Sequence, residues 1–133
     1  MSFAARAGHK CVAMNMAPAN PIVHIELHTG NLARACAFYS RLCGWRSETI
    51  DAGCGSYQAL DVGGGVEGGV VEREVEHGLW LPYAEVADVH TATERARELG
   101  AAIVLEPREG PAGWRAVVGS EAAGELALWQ PKR

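Results

Sequence analysis

The stretch Ile22–Trp45, IVHIELHTGNLARACAFYSRLCGW, decides the fold. It reads as a strand, a turn and a helix. In the strand, Val23, Ile25 and Leu27 alternate with Ile22, His24, Glu26 and His28. Successive strand side chains point to opposite faces. One face is therefore aliphatic and suits a helix packed on it. The other carries His, Glu and His in a row, which is either a solvated surface or the lining of a pocket.

The helix has its own signals. Asn31 is a candidate cap, and Leu32, Ala35, Cys36, Tyr39, Leu42 and Cys43 recur at helical spacing. Gly44 stands where a left-handed stop is expected. The apolar faces of strand and helix can then cover each other, which leaves His24, Glu26 and His28 on the far side of the sheet. His28, near the strand end, is expected to be exposed.

Outward from this stretch, the chain has 133 residues and suits one domain. It is 48% apolar and 21% charged, which is ordinary for a soluble globular protein. Twelve basic residues against 16 acidic ones give a net charge of −4 with no basic stripe, so no nucleic acid partner is expected. No apolar run approaches membrane-spanning length, so no membrane partner is expected. Cys11, Cys36, Cys43 and Cys54 show no CxxC spacing. They read as reduced, apolar-like residues of a cytoplasmic protein. Residues 1–20 lack the apolar core of a signal peptide and read as a loose tail, with Met14 or Met16 as an alternative start.

After Gly44, strands are expected at Trp45–Asp51, Ser56–Val62 and Val66–Arg73, with glycine-rich turns between them. Gly68 and Gly69 inside a strand mark a bulge or a close approach. A strand at Trp80–Ala87 follows, with Pro82 either weakening that assignment or placing it near an edge. Asp88 caps a second helix with Val89, Ala92, Ala96 and Leu99 inward and a stop at Gly100. Ala101–Glu106, Trp114–Gly119 and Glu125–Gln130 complete the strands. Residues 107–113 are a loop, either a plain connection or a lid.

The second half thus repeats the first. The caps Asn31 and Asp88 fall 57 residues apart, which marks two related units. At that offset His24 corresponds to Leu81, Glu26 to Tyr83 and His28 to Glu85. Each unit has one helix on one sheet face. Two such sheets can turn their other faces toward a shared cup, which favours a pocket around His24 and Glu26.

The pattern VHIEL…NLARACAFYSRLCGW, then WLPYAEVADV…ARELGA and the closing WRAVVGSEAAGELALWQP, resembles the vicinal oxygen chelate superfamily. That superfamily includes glyoxalase I, bleomycin-resistance proteins and extradiol dioxygenases, and a small glyoxalase-like branch is the nearest in flavour. The resemblance implies an α+β domain over residues 21–133, with βαβββ modules at 21–78 and 79–130. The modules form a cupped mixed sheet with the helices outside. The resemblance also implies a homodimer and a small-molecule ligand.

Metal-dependent relatives take His, Glu or Gln ligands from the first and last strands of both modules. His24 matches the first position, but its counterpart is Leu81. The remaining positions fall near Glu67 or Glu72, and near Ala127 or Leu128, with Glu125 displaced by two residues. A catalytic metal needs about three protein ligands. His24, Glu67 and Glu125 are the candidates, and no metal or other cofactor is expected.

His24, Glu26, Tyr83, Trp80 and Trp114 are the candidate ligand-binding residues. Aromatic walls with a few polar groups are the usual recipe for a pocket. Trp129 is assigned to core packing. Glu26 is the candidate catalytic base. Three readings stand: a small-molecule binding protein without a metal centre; a lyase, isomerase or dioxygenase, metal-dependent or using Glu26; and a non-catalytic interaction module whose cup is filled.

Overall fold

The computed structural model describes residues 19–49 and 57–133. The chain runs β1 (Ile22–Thr29), α1 (Leu32–Cys43), β2 (Arg46–Thr49), β3 (Tyr57–Asp61), β4 (Glu67–Glu72), β5 (Leu79–Glu85), α2 (Val89–Glu98), β6 (Ala102–Glu109), β7 (Gly113–Ser120) and β8 (Gly124–Pro131). The expected turn at Ala52–Gly55, Cys11, Cys54 and most of the N-terminal tail lie outside the described residues.

The strands form one open mixed sheet of eight in the order β2-β3-β4-β1-β5-β8-β7-β6. Within each half the first and last strands run parallel, β1 with β4 and β5 with β8. The halves meet where β1 and β5 pair antiparallel. This is the α+β cupped sheet that the repeat implies. The first strand of each half therefore lies at the middle of the sheet, and its polar row lies over the seam.

Both helices start as the sequence predicts. The Asn31 side chain accepts from the Arg34 N–H at 3.0 Å, and Asp88 accepts from the Thr91 N–H at 2.9 Å. Gly44 ends α1 at φ 73°, where a side chain would be strained. α1 covers Leu27, Leu60 and Val70 with Leu32, Ala35, Cys36 and Tyr39. α2 covers Val86, Ala116, Val118 and Leu128, with Val89 fully buried. No helix among the described residues is long and apolar enough to cross a membrane.

Several expectations need correction. Leu42, in the last turn of α1, and Leu99, the residue that follows α2, are exposed rather than on the covered faces. Pro82 lies in a central strand rather than near an edge. It fits because β5 pairs with β8 only from Tyr83 onward. The 107–113 segment is mostly strand: β6 continues to Glu109, and only a tight turn remains before Gly113. Gly68 is a close approach, since a Cβ there would lie 2.6 Å from the Leu60 carbonyl oxygen.

Candidate functional site

The β1–β5 register sets the site. His24 pairs with Tyr83 and Glu26 with Leu81, so these four share the face opposite the helices. Glu26 is buried, with 6% of its surface exposed. Its Oε1 accepts from the Tyr83 hydroxyl at 3.0 Å and from His28 Nε2 at 2.8 Å. His24 Nε2 lies 3.9 Å from Oε2. The His24 ring meets the Tyr83 ring edge-on, with centroids 4.9 Å apart.

Two guanidiniums stand behind these donors. Arg115 donates to the Tyr83 hydroxyl oxygen at 2.9 Å, and Arg73 Nε donates to His28 Nδ1 at 2.6 Å. An arginine nitrogen only donates. His28 Nδ1 must therefore accept, which places the imidazole proton on Nε2, aimed at Glu26. The carboxylate is thus the end point of two chains, Arg73 to His28 to Glu26 and Arg115 to Tyr83 to Glu26. His28 is mostly buried, contrary to the exposure expected from its place near the strand end.

The electrostatics follow. Burial pushes the Glu26 carboxyl up, but the nearby His24 ring and the His28 and Tyr83 donors outweigh it and bring the pKa down to about 2. Burial, with the neighbouring Glu26 charge, raises the Tyr83 phenol to about 12 against the opposing pull of Arg115. At neutral pH the pair is a carboxylate held by a neutral phenol.

A cavity of about 860 Å³ opens beside this network, against His24, Glu26, Tyr83, Arg115 and Trp129. A second hollow of about 950 Å³ lies over β2–β4, and the two share His24 and Glu67. The residues of the 107–113 segment wall the first cavity at its β6–β7 end.

His24, Glu26 and Tyr83 come together as the sequence predicts. Trp80 and Trp114 do not. Trp80 pairs with Leu27 and so faces α1, where its indole N–H donates to the Tyr39 hydroxyl oxygen at 3.2 Å. Trp114 packs with Ala116 and Val118 on the α2 side. Trp129, which the sequence assigned to the core, packs on the Leu81, Tyr83, Val117 and Ala127 cluster as expected and also lines the cavity. Arg115 and Arg73 were missed. The available signal was parity: Arg115 stands two residues before inward-facing Val117 and alternates with helix-facing Trp114 and Ala116.

The metal positions suggested by resemblance hold too few donor atoms. His24 Nδ1 and Glu67 Oε1 are 3.9 Å apart, so one imidazole and one carboxylate are available. Leu81 and Ala127 are buried at 4% and 0% exposure and offer no donor atom. Glu125 is exposed at the start of β8 and does not line the cavity. Among the described residues, no group of three or more His, Cys, Asp or Glu is placed to hold a metal.

Comparison with known proteins agrees with the fold. The family model described as Glyoxalase/Bleomycin resistance protein/Dioxygenase superfamily matches residues 21–124. The chain belongs to this superfamily. A search of curated proteins found no match. Among solved structures, a hypothetical protein from Bacillus halodurans C-125 superposes with a TM-score of 0.65 at 15% identity, covering 87% of this chain and 97% of that one. Methylmalonyl-CoA epimerase from Mycobacterium tuberculosis gives 0.62 at 16% identity, covering 92% and 97%. A variant of the Streptomyces coelicolor methylmalonyl-CoA epimerase, in complex with 2-nitronate-propionyl-CoA, gives 0.61 at 17% identity, covering 87% and 100%. At these identities the likeness is one of fold.

Proposed function

We propose that this superfamily member is a small-molecule binding protein of the glyoxalase and bleomycin-resistance type that works without a resident metal. The observation that carries the reading is the cavity of about 860 Å³ against His24, Glu26 and Tyr83. That volume lies in the range of ordinary ligand pockets. The alternative of a cup filled by side chains disagrees with it. The metal-free part rests on the donor set, which is one ligand short of a typical catalytic site. Cytoplasmic location is supported by Cys36 and Cys43, which form no disulfide among the described residues. Family resemblance supports a homodimer, which light scattering on the purified chain would check.

The test is a thermal-shift panel of metabolites and antibiotics on the full chain. Ligand that binds only the native state raises its apparent stability. At least one compound should raise the melting temperature, and His24→Ala should remove that rise. If no compound does so while a divalent metal binds tightly through His24, the reading fails.

An isomerase reading draws support from the epimerase-like fold and from a carboxylate facing a cavity. On that reading Glu26 accepts a proton from carbon, and the Arg115–Tyr83 pair steadies the charge that develops on the neighbouring oxygen. Its weakness is basicity. A carboxyl held near pKa 2 is a weaker proton acceptor than an ordinary carboxylate by about 3 kcal/mol. Glu26→Gln separates the two readings: it abolishes turnover in an isomerase and leaves a binder's affinity within a few-fold.

A further inference from the structure

The charged residues around the cavity are unevenly paired, and the imbalance points to a class of ligand. Three of the acids on its wall have partners of their own, two of them cations. Glu109 meets Lys132 at 2.7 Å, Glu85 meets Arg133 at 3.5 Å, and Glu26 takes the donors described above. Arg108 and Arg115 line the same cavity, and neither forms an ion pair with a carboxylate among the described residues. Arg115 spends one N–H on the Tyr83 hydroxyl and reaches Glu26 only through it, which leaves its other N–H groups for a ligand. The remaining acid, Glu67, projects into solvent with 87% of its side chain exposed, at the opposite end of the cavity beside His24.

These arginines are also in register. Arg108 on β6 pairs with Arg115 on β7, which pairs in turn with Trp129 on β8. Three neighbouring strands therefore present guanidinium, guanidinium and indole in one row. The indole is held in place: a Cβ on Gly113 would lie 2.9 Å from its ring carbons, so the ring rests directly against that glycine. It also meets the Tyr83 ring edge-on at 6.5 Å. A fixed indole offers a platform to a flat ring, and guanidinium forks match the two oxygens of a carboxylate.

We propose that the cavity takes a small aromatic carboxylate, its ring against Trp129 and its carboxylate between Arg108 and Arg115. This rests on the binding reading above and adds the ligand's charge and shape to it. Lysine would be a poor replacement at either arginine, because it supplies charge without the fork.

The experiment is calorimetric titration of the full chain with benzoate, with benzamide as its uncharged counterpart and cyclohexanecarboxylate as its non-aromatic one. Benzoate should bind about tenfold more tightly than either, the difference of one good charged contact or one ring contact. Arg108→Gln should weaken benzoate about tenfold and leave benzamide unchanged. Trp129→Leu should reduce benzoate to the level of cyclohexanecarboxylate. Arg108 is exposed and holds nothing in the fold, so its variant should melt like the parent. Benzoate and benzamide binding alike, or benzoate indifferent to Arg108→Gln, overturns the proposal. So does an absence of binding by all three probes. A neutral compound from the thermal-shift panel that still binds through His24 would leave the binding reading standing while this one falls.

Discussion

The two halves of the sheet share a backbone plan and divide the chemistry. On the first half the inward row is His24, Glu26 and His28. On the second the matching row is Leu81, Tyr83 and Glu85, and Leu81 and Tyr83 form an apolar cluster there with Val117 and Ala127. The first half thus contributes a buried charge with imidazoles around it. The second contributes an apolar wall, one hydroxyl and the arginine behind it. Neither half makes the site alone, because the Glu26–Tyr83 bond crosses the seam. A repeated fold fixes where side chains point and leaves open what they are.

That asymmetry can be broken by restoring donors to the second half. Leu81→His with Ala127→Glu adds two donors to His24 and Glu67. The double variant should bind Zn²⁺ and gain about 4 kcal/mol of stability at a thousandfold excess over Kd, with no gain in the parent. Thermal melts with and without zinc check this, and a flat response would mean that the halves differ by more than two side chains. Removing the charge from the first half is the next largest change. Glu26→Leu leaves the Tyr83 hydroxyl and the His28 N–H without their acceptor and should cost about 3 kcal/mol in urea unfolding.

The same charge predicts a pH dependence. The folded Glu26 pKa lies near 2, below its ordinary 4.5. Its contribution is therefore present above about pH 4.5 and is lost as pH falls through 2. The loss is about 3 kcal/mol over that window, and Glu26→Gln should remove it. At the alkaline end the sign is reversed: Tyr83 is raised from 10 to about 12, so stability falls as pH climbs between those values. Smaller effects probe the two supports of the carboxylate. Tyr83→Phe should cost about 1 kcal/mol and move the acid limb to higher pH, since Glu26 loses a donor. Arg73→Met, at an exposed residue, should cost about 0.5 kcal/mol. Its clearer signature is nitrogen NMR of His28, where the proton should no longer be confined to Nε2.

Much of this was legible in the chain. Alternation in Ile22–Thr29 gave the faces of β1, the two caps gave the helices, and their 57-residue spacing gave the duplication that makes Tyr83, now bonded to Glu26, its counterpart in the second half. The local signals ended at the tryptophans. Aromatic character carries no parity, so Trp80 and Trp114 looked as fit for a pocket as Trp129 does. Their faces are fixed by partners on other strands, Leu27 for Trp80 and Gln130 for Trp114. For Arg115 the face was readable from its parity with Val117, but the partners of Arg115 and Arg73 were not. Each acts through a residue 32 or 45 positions away, and no local window contains both ends of such a pair.

Among the described residues the sheet does not close, and β6 forms one of its ends. An open edge offers free amides and carbonyls to any passing strand, the usual start of edge-to-edge aggregation. β6 carries its own guard. Pro107 has no N–H to offer a newcomer, and Glu106 and Arg108 flank it with charge. A visiting strand would lose a rung of its ladder there and would meet both charges beside the gap. The strand whose arginine faces the cavity is thus also the one that keeps neighbouring molecules from adding to the sheet.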